Sequence, residues 1–226
     1  AGIACKVVVI DTAPQAKLDR MRALDAELIP TPFDVCWRAL ETHMFEGMDG
    51  TLVHPFDDHN FIAGHAVMGL EILEEEPNAK AVICAIGGGG LITAVGSAIK
   101  ALKPEVQVLG AEPETAAPFA RSWAEGRACA FPERQTSFVD GAGGSSIMPR
   151  MWERMRPVAD GALVVTLEET RQAMKLIAEK ARVIAEGAGA LSVAAALTGK
   201  AGDGPIIAVI SGGNLDMKKF CELIDI

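Results

Sequence analysis

Short, wholly apolar runs alternate with segments of helical length along this chain, and that alternation leaves few folds open. KVVVI at residues 6–10, KAVICAI at 80–86 and PIIAVI at 205–210 show no polar face. A strand with one wet face alternates apolar and polar residues, whereas a strand without one must be covered on both sides. Strands of this kind, separated by helices, predict an α/β fold with a mostly parallel, twisted sheet and helices on both faces.

The punctuation supports this reading. Asp11, Thr12 and Pro14 open a helix that runs to about residue 24, followed by a short strand at 27–29, a helix at 33–45 and a strand at 51–54. A helix at 61–75 stops at Pro77 and Asn78, and the strand at 80–86 follows. The helix at 91–102 is ended by Pro104, and a strand at 106–111 comes next. Residues 112–160 mix Gly, Pro and Arg and read as loops with short helices. A strand at 162–166 leads into a helix at 167–181, where Thr166 and Glu169 are spaced as a capping box. An alanine-rich helix at 188–197 ends at Gly199, and a strand at 205–210 and a helix at 216–224 close the series.

Composition excludes some partners. The net charge of −9 argues against nucleic acid and anionic membranes as main partners. No stretch is apolar and long enough for a membrane span, and the beginning of the chain lacks a basic leader before its apolar run. The five cysteines are widely spaced with no CxxC, which reads as free thiols in a reducing compartment. Cytoplasmic localisation is the resulting expectation. The four histidines form no recognisable metal motif.

Four motifs carry the chemistry. Gly87, Gly88, Gly89 and Gly90 lie between a buried strand and a helix, where backbone can approach a ligand and a helix N-terminus offers free N–H groups. That suits a phosphate, and a flexible turn without a ligand is an equal reading. Ser211-Gly212-Gly213-Asn214 ends another buried strand, so both glycine-rich ends could face one crevice; a tight turn explains it as well. Glu186 precedes a glycine- and alanine-rich helix start, where a carboxylate is also simply favourable to the helix dipole. Val139-Asp140-Gly141 alone reads as an ordinary turn.

Taken together and in order, these residues resemble the fold-type II pyridoxal-phosphate enzymes, which have a tryptophan-synthase-β-like fold. The nearest branch is that of the serine/threonine dehydratases (threonine ammonia-lyases) and serine racemases. The shared pattern comprises DTAP at 11–14, HPF at 54–56, IAG at 62–64, LEIL at 70–73, GGGGL at 87–91, AEP at 111–113, VDG at 139–141, EGAGA at 186–190 and SGGN at 211–214. The resemblance implies that Gly87, Gly88, Gly89, Gly90 and the amide of Leu91 bind the phosphate of pyridoxal 5′-phosphate. Ser211 would hydrogen-bond the pyridine nitrogen, Glu186 would sit near the ring, Gly141 would touch the cofactor through its backbone, and Asn214 would hold the loop around Ser211. It also implies residues 1–53 as the remainder of a small domain, residues 54–226 as the large cofactor-binding domain, and a homodimer. The implied reaction is β-elimination from L-threonine or L-serine, giving a 2-keto acid and ammonia. A serine-type racemase is the alternative.

Departures from the family pattern bear on activity. Family members carry a Schiff-base lysine in a Ser-Phe-Lys context and a Ser-x-Gly-Asn loop, and none of the ten lysines here lies in such a context. Lys17, Lys100, Lys103, Lys175, Lys180, Lys218 and Lys219 fall on expected helices and read as solvated or snorkelling. No catalytic residue is therefore expected in this chain, which looks truncated at its N-terminus. It is expected to be inactive alone, as a non-catalytic fragment or as half of a split enzyme whose partner is a separate N-terminal chain. Exposed sheet edges, prone to pairing with another chain, would follow. His65-Ala66-Val67 stands where family members often have Gln-Gly-Thr. Glu112 and the carbonyl of Ala116 match two ligands of a racemase-type metal site, but Pro118 occupies the third place, so no metal site is expected. With nothing beyond Ile226, feedback control through a trailing regulatory domain is not expected either.

Overall fold

A computed structural model describes residues 2–225, except the side chain of Ala16. Two parallel sheets organise the chain. The first pairs β1 (Lys6–Ile10) with β2 (Glu27–Thr31), joined by α1 (Gln15–Arg22) and followed by α2 (Phe33–Thr42). The second has the order β5-β4-β3-β6, with β3 (Ala81–Ala85), β4 (Gln107–Pro113), β5 (Gly161–Val165) and β6 (Ile206–Ala208). Every pairing between named strands is parallel. The expected strand at 51–54 does not form: that stretch pairs with no other strand and carries no regular structure.

Seven helices flank the larger sheet: α3 (His59–Glu75), α4 (Gly90–Leu102), α5 (Pro118–Glu125), α6 (Pro149–Met155), α7 (Leu167–Ala181), α8 (Gly187–Leu197) and α9 (Met217–Ile224). All five residues of β3 are buried, as a strand covered on both faces requires. Its side chains alternate between two cores. Ala81, Ile83 and Ala85 join residues of α7, α8 and α9, while Val82 and Cys84 join residues of α3, α4, α5 and α6.

Local chemistry explains the sharpest boundaries. The Thr166 hydroxyl accepts from the Glu169 amide at 3.1 Å, and the Glu169 carboxylate accepts from the Thr166 amide at 2.7 Å, which starts α7 where the capping box places it. Asp58 and Asp216 cap α3 and α9 in the same way, accepting from Phe61 and Lys219. Ser192 of α8 donates to the Val209 carbonyl at 2.6 Å, tying that helix to the end of β6.

Among the described residues no helix is long and apolar enough to cross a membrane, and no group of three His, Cys, Asp or Glu side chains is placed to hold a metal ion. Both Glu112 oxygens are occupied: Oε1 accepts from the Phe119 amide at 2.9 Å and Oε2 from the Ala120 amide at 2.8 Å, at the start of α5.

Candidate functional site

Parallel strands present their carboxyl ends on one side, and the glycine motifs collect there. β3 runs into residues 87–90, and Gly89 caps α4 in the left-handed region at φ +90°. A Cβ at Gly87 would lie 3.1 Å from the Gly141 carbonyl oxygen, and one at Gly212 would lie 2.6 Å from Glu186 Oε1. Gly141 also packs against Glu186 Oε1, at 3.4 Å from its would-be Cβ. Residues 87, 141, 186 and 212 therefore form a continuous contact path, although the sequence separates them widely. The Glu186 amide donates to the Gly212 carbonyl at 3.0 Å, which fixes the loop after β6 against the start of α8.

A cavity of about 290 Å³ opens beside this path. Gly87, Gly88, Gly141, Arg134 and Asp140 line it, and Phe33, Trp37 and Phe56 supply aromatic walls. Phe33 and Trp37 stack on α2 with ring centroids 6.0 Å apart, so the smaller unit contributes a wall to a crevice floored by the larger one. Gly89 and Gly90 are buried: Phe56 covers residues 88 and 90, and Met155 covers residue 89. Leu91 lies half-buried in the first turn of α4. Ser211 and Asn214 are exposed and stand outside the cavity wall. Their loop is held by backbone contacts, including Leu215 N–H to the Gly213 carbonyl at 3.0 Å.

Three features escape sequence reading. Lys17 is not solvated: its Nζ lies 3.0 Å from Asp140 Oδ1 and 3.5 Å from Glu186 Oε2. Lys100 likewise pairs with Asp160 at 2.6 Å and donates to the Val106 carbonyl. Asp57, directly after Phe56, is 2% exposed and meets Arg154 at 2.9 Å, His43 at 3.0 Å and Arg150 at 3.2 Å. Arg154 precedes Met155, so the Asp57–Arg154 pair ties together the two segments that cover the glycine loop. His54 completes the junction. Its Nδ1 accepts from the Phe56 and Asp57 amides and its Nε2 faces the Leu40 carbonyl at 3.1 Å, while burial pushes its pKa down.

Electrostatics mark Glu186. Burial pushes its carboxyl above the usual range; the Lys17 ammonium opposes that rise and Asp140 adds to it. Glu186 Oε2 is buried and has no hydrogen bond.

The strand order, the helix-capping glycine loop and the crevice are those of an α/β protein suited to a phosphate-bearing cofactor. Residues 1–212 match the pyridoxal-phosphate dependent enzyme family, and the chain belongs to it. It is similar to the L-threonine ammonia-lyase of Thermotoga maritima, at 36% identity over 227 residues, covering 99% of this chain and 56% of that protein. It is also similar to a catabolic L-threonine dehydratase of Staphylococcus aureus, at 33% identity, covering 99% of this chain and 66% of that protein. The chain thus spans between half and two thirds of these relatives. Among solved structures, maize serine racemase superimposes with a TM-score of 0.84 at 29% identity, over 98% of this chain and 69% of that one. The processed form of a threonine deaminase from Solanum lycopersicum does so with a TM-score of 0.84 at 30% identity, over 99% and 67%. As expected from the sequence, the fold is that of the fold-type II enzymes, and the family depends on pyridoxal phosphate.

The residues present fit that group. Aromatic walls suit a flat ring, and a glycine loop at a helix start suits its phosphate, because the first amides of α4 have no helical acceptors. Arg134 adds a cationic residue to the lining.

Proposed function

We propose that this chain forms the cofactor-binding part of an amino-acid ammonia-lyase that removes the β-hydroxyl of L-threonine or L-serine, giving a 2-keto acid and ammonia. The observation that carries the reading is the convergence of residues 87–88, 141, 186 and 212 at the carboxyl ends of β3 and β6, beside one aromatic-walled cavity. Residues 1–53 and 54–226 act as two units, and the protein works as a homodimer in the cytoplasm.

Pyridoxal phosphate supplies the electron sink that stabilises negative charge at the substrate α-carbon. The chain's residues bind and orient it. Gly87, Gly88, Gly89, Gly90 and the Leu91 amide would hold the phosphate, and Gly141 would touch the ring system through its backbone. Glu186 would stand near the ring, and Asn214 would support the loop that presents Ser211. The Ser211 hydroxyl, exposed and outside the cavity wall in this structure, would hydrogen-bond the pyridine nitrogen of the bound group without protonating it as a carboxylic acid would. With a hydroxyl rather than a carboxylate at that place, the site would suit loss of a β-hydroxyl, or racemisation, better than transamination. The similarity to maize serine racemase supports a serine-type racemase as the second reading.

None of the ten lysines has the Ser-Phe-Lys context, so no group in this chain is assigned to take the α-proton. The pure chain should bind pyridoxal phosphate, release no keto acid from L-threonine and carry no stoichiometric pyridoxyl-lysine after borohydride reduction, as read by mass spectrometry. A second polypeptide bearing that label would identify a split enzyme. Gly88→Leu should weaken cofactor binding by roughly tenfold or more, because a side chain there collides with Phe56 at the loop. Equal affinity in a folded Gly88→Leu protein would remove the loop from the site.

A further inference from the structure

Lys17 belongs to the β1–β2 unit, yet its ammonium lies in the crevice built by the other unit. It crosses 123 residues of sequence to reach Asp140, and its side chain is only 24% exposed. Glu186, 14% exposed, presents Oε1 to Gly141 and Gly212 and leaves Oε2 with no hydrogen bond, 3.5 Å from the Lys17 ammonium. The other charged group facing Glu186 is Asp140, a like charge. The 211–214 loop and α8, which pack against Glu186, contain no titratable side chain. Lys17 is therefore the cation that offsets two neighbouring carboxylates.

We propose that Lys17 is a positioning residue of the site: its ammonium holds the Asp140 and Glu186 carboxylates together and offsets the charge of Glu186 beside the ring. The proposal rests on the reading that Glu186 borders the bound cofactor. It gives the β1–β2 unit an electrostatic share in the site besides the wall formed by Phe33 and Trp37.

The test is carboxyl ¹³C NMR titration of the full chain without cofactor, with the Glu186 signal assigned from its loss in Glu186→Gln. Lys17→Met should raise the Glu186 midpoint by about one pH unit or more. Lys17→Arg should keep it near the original value and Asp140→Asn should lower it; the rise in Lys17→Met is the direction that partial unfolding, which relieves burial, does not mimic. Pyridoxal phosphate affinity, followed by fluorescence, should fall several-fold in Lys17→Met and recover in Lys17→Arg. An unmoved Glu186 midpoint in folded Lys17→Met would overturn the proposal, and so would a moved midpoint with unchanged cofactor affinity. If the unsubstituted chain fails to bind pyridoxal phosphate while the midpoints shift as stated, the cofactor reading fails and the charge coupling stands.

Discussion

Glu112 shows how burial and hydrogen bonding compete within one side chain. It is fully enclosed, and the amides of Phe119 and Ala120 both donate to it. Amide donors favour the charged form, but desolvation is larger and pushes the carboxyl up to about 8 from its ordinary 4.5. Between those values the unfolded chain ionises Glu112 while the folded chain keeps the proton. Stability from this group is thus fully present below about pH 4.5 and is lost as pH rises towards 8. Glu112→Gln cannot ionise, and it turns an amide NH₂ towards one of the two backbone donors. The native protein should therefore exceed the variant in unfolding free energy at pH 5, by on the order of a few kcal/mol, with the gap narrowing towards pH 8. Urea unfolding across that range measures it, and a constant gap would show that Glu112 stays ionised throughout.

At the scale of elements, the cover over the glycine loop depends on how α6 meets the segment after β2 and α2. Asp57 and Arg154 join them, with Asp57 2% exposed and Arg154 20% exposed. Breaking a buried pair leaves an uncompensated charge, so Arg154→Met should cost roughly 2–4 kcal/mol, moderated by the remaining His43 and Arg150 contacts. Arg150 is 61% exposed, and Arg150→Met should cost under about 1 kcal/mol. Thermal melting of the two variants compares them directly, and equal losses would mean that the Asp57 cluster is not organised around α6. This pair was invisible in the sequence because nothing local requires it. What was legible was local: the capping box at Thr166 and Glu169 placed α7, and the strand-to-glycine junction at residue 87 placed the start of α4. The strand expected at 51–54 failed because a ladder needs a neighbour, which periodicity cannot supply. The same limit hid Lys17. On a helix it reads as a solvated side chain, and only the packing of α1 against the crevice turns it towards Asp140 and Glu186.

Across the whole molecule, apolar burial and the site are divided unequally. Among the described residues, neither large core includes one before Phe56. The β1–β2 unit buries little: Val9 and Thr31 lie below a tenth exposed, and α2 buries no residue. That unit is attached through polar contacts, namely Lys17 to Asp140 and Glu186, His43 to Asp57, and His54 to the Leu40 carbonyl. Residues 44–50 between the units form no helix or strand and are largely exposed, so brief proteolysis should cut there first. Both cores lie beyond the cut, so the larger piece should keep cooperative unfolding with a melting temperature close to that of the intact chain. The smaller piece, with little apolar area to offset its chain entropy, should dissociate and unfold. The larger piece would then lack Phe33, Trp37 and Lys17, and its affinity for pyridoxal phosphate should fall even though residues 87–90 remain in place. Calorimetry and cofactor titration of the clipped protein separate these effects. Loss of the cooperative transition on clipping would show that the smaller unit carries stability that its burial does not reveal, and unchanged cofactor affinity would show that the crevice needs no wall from α2.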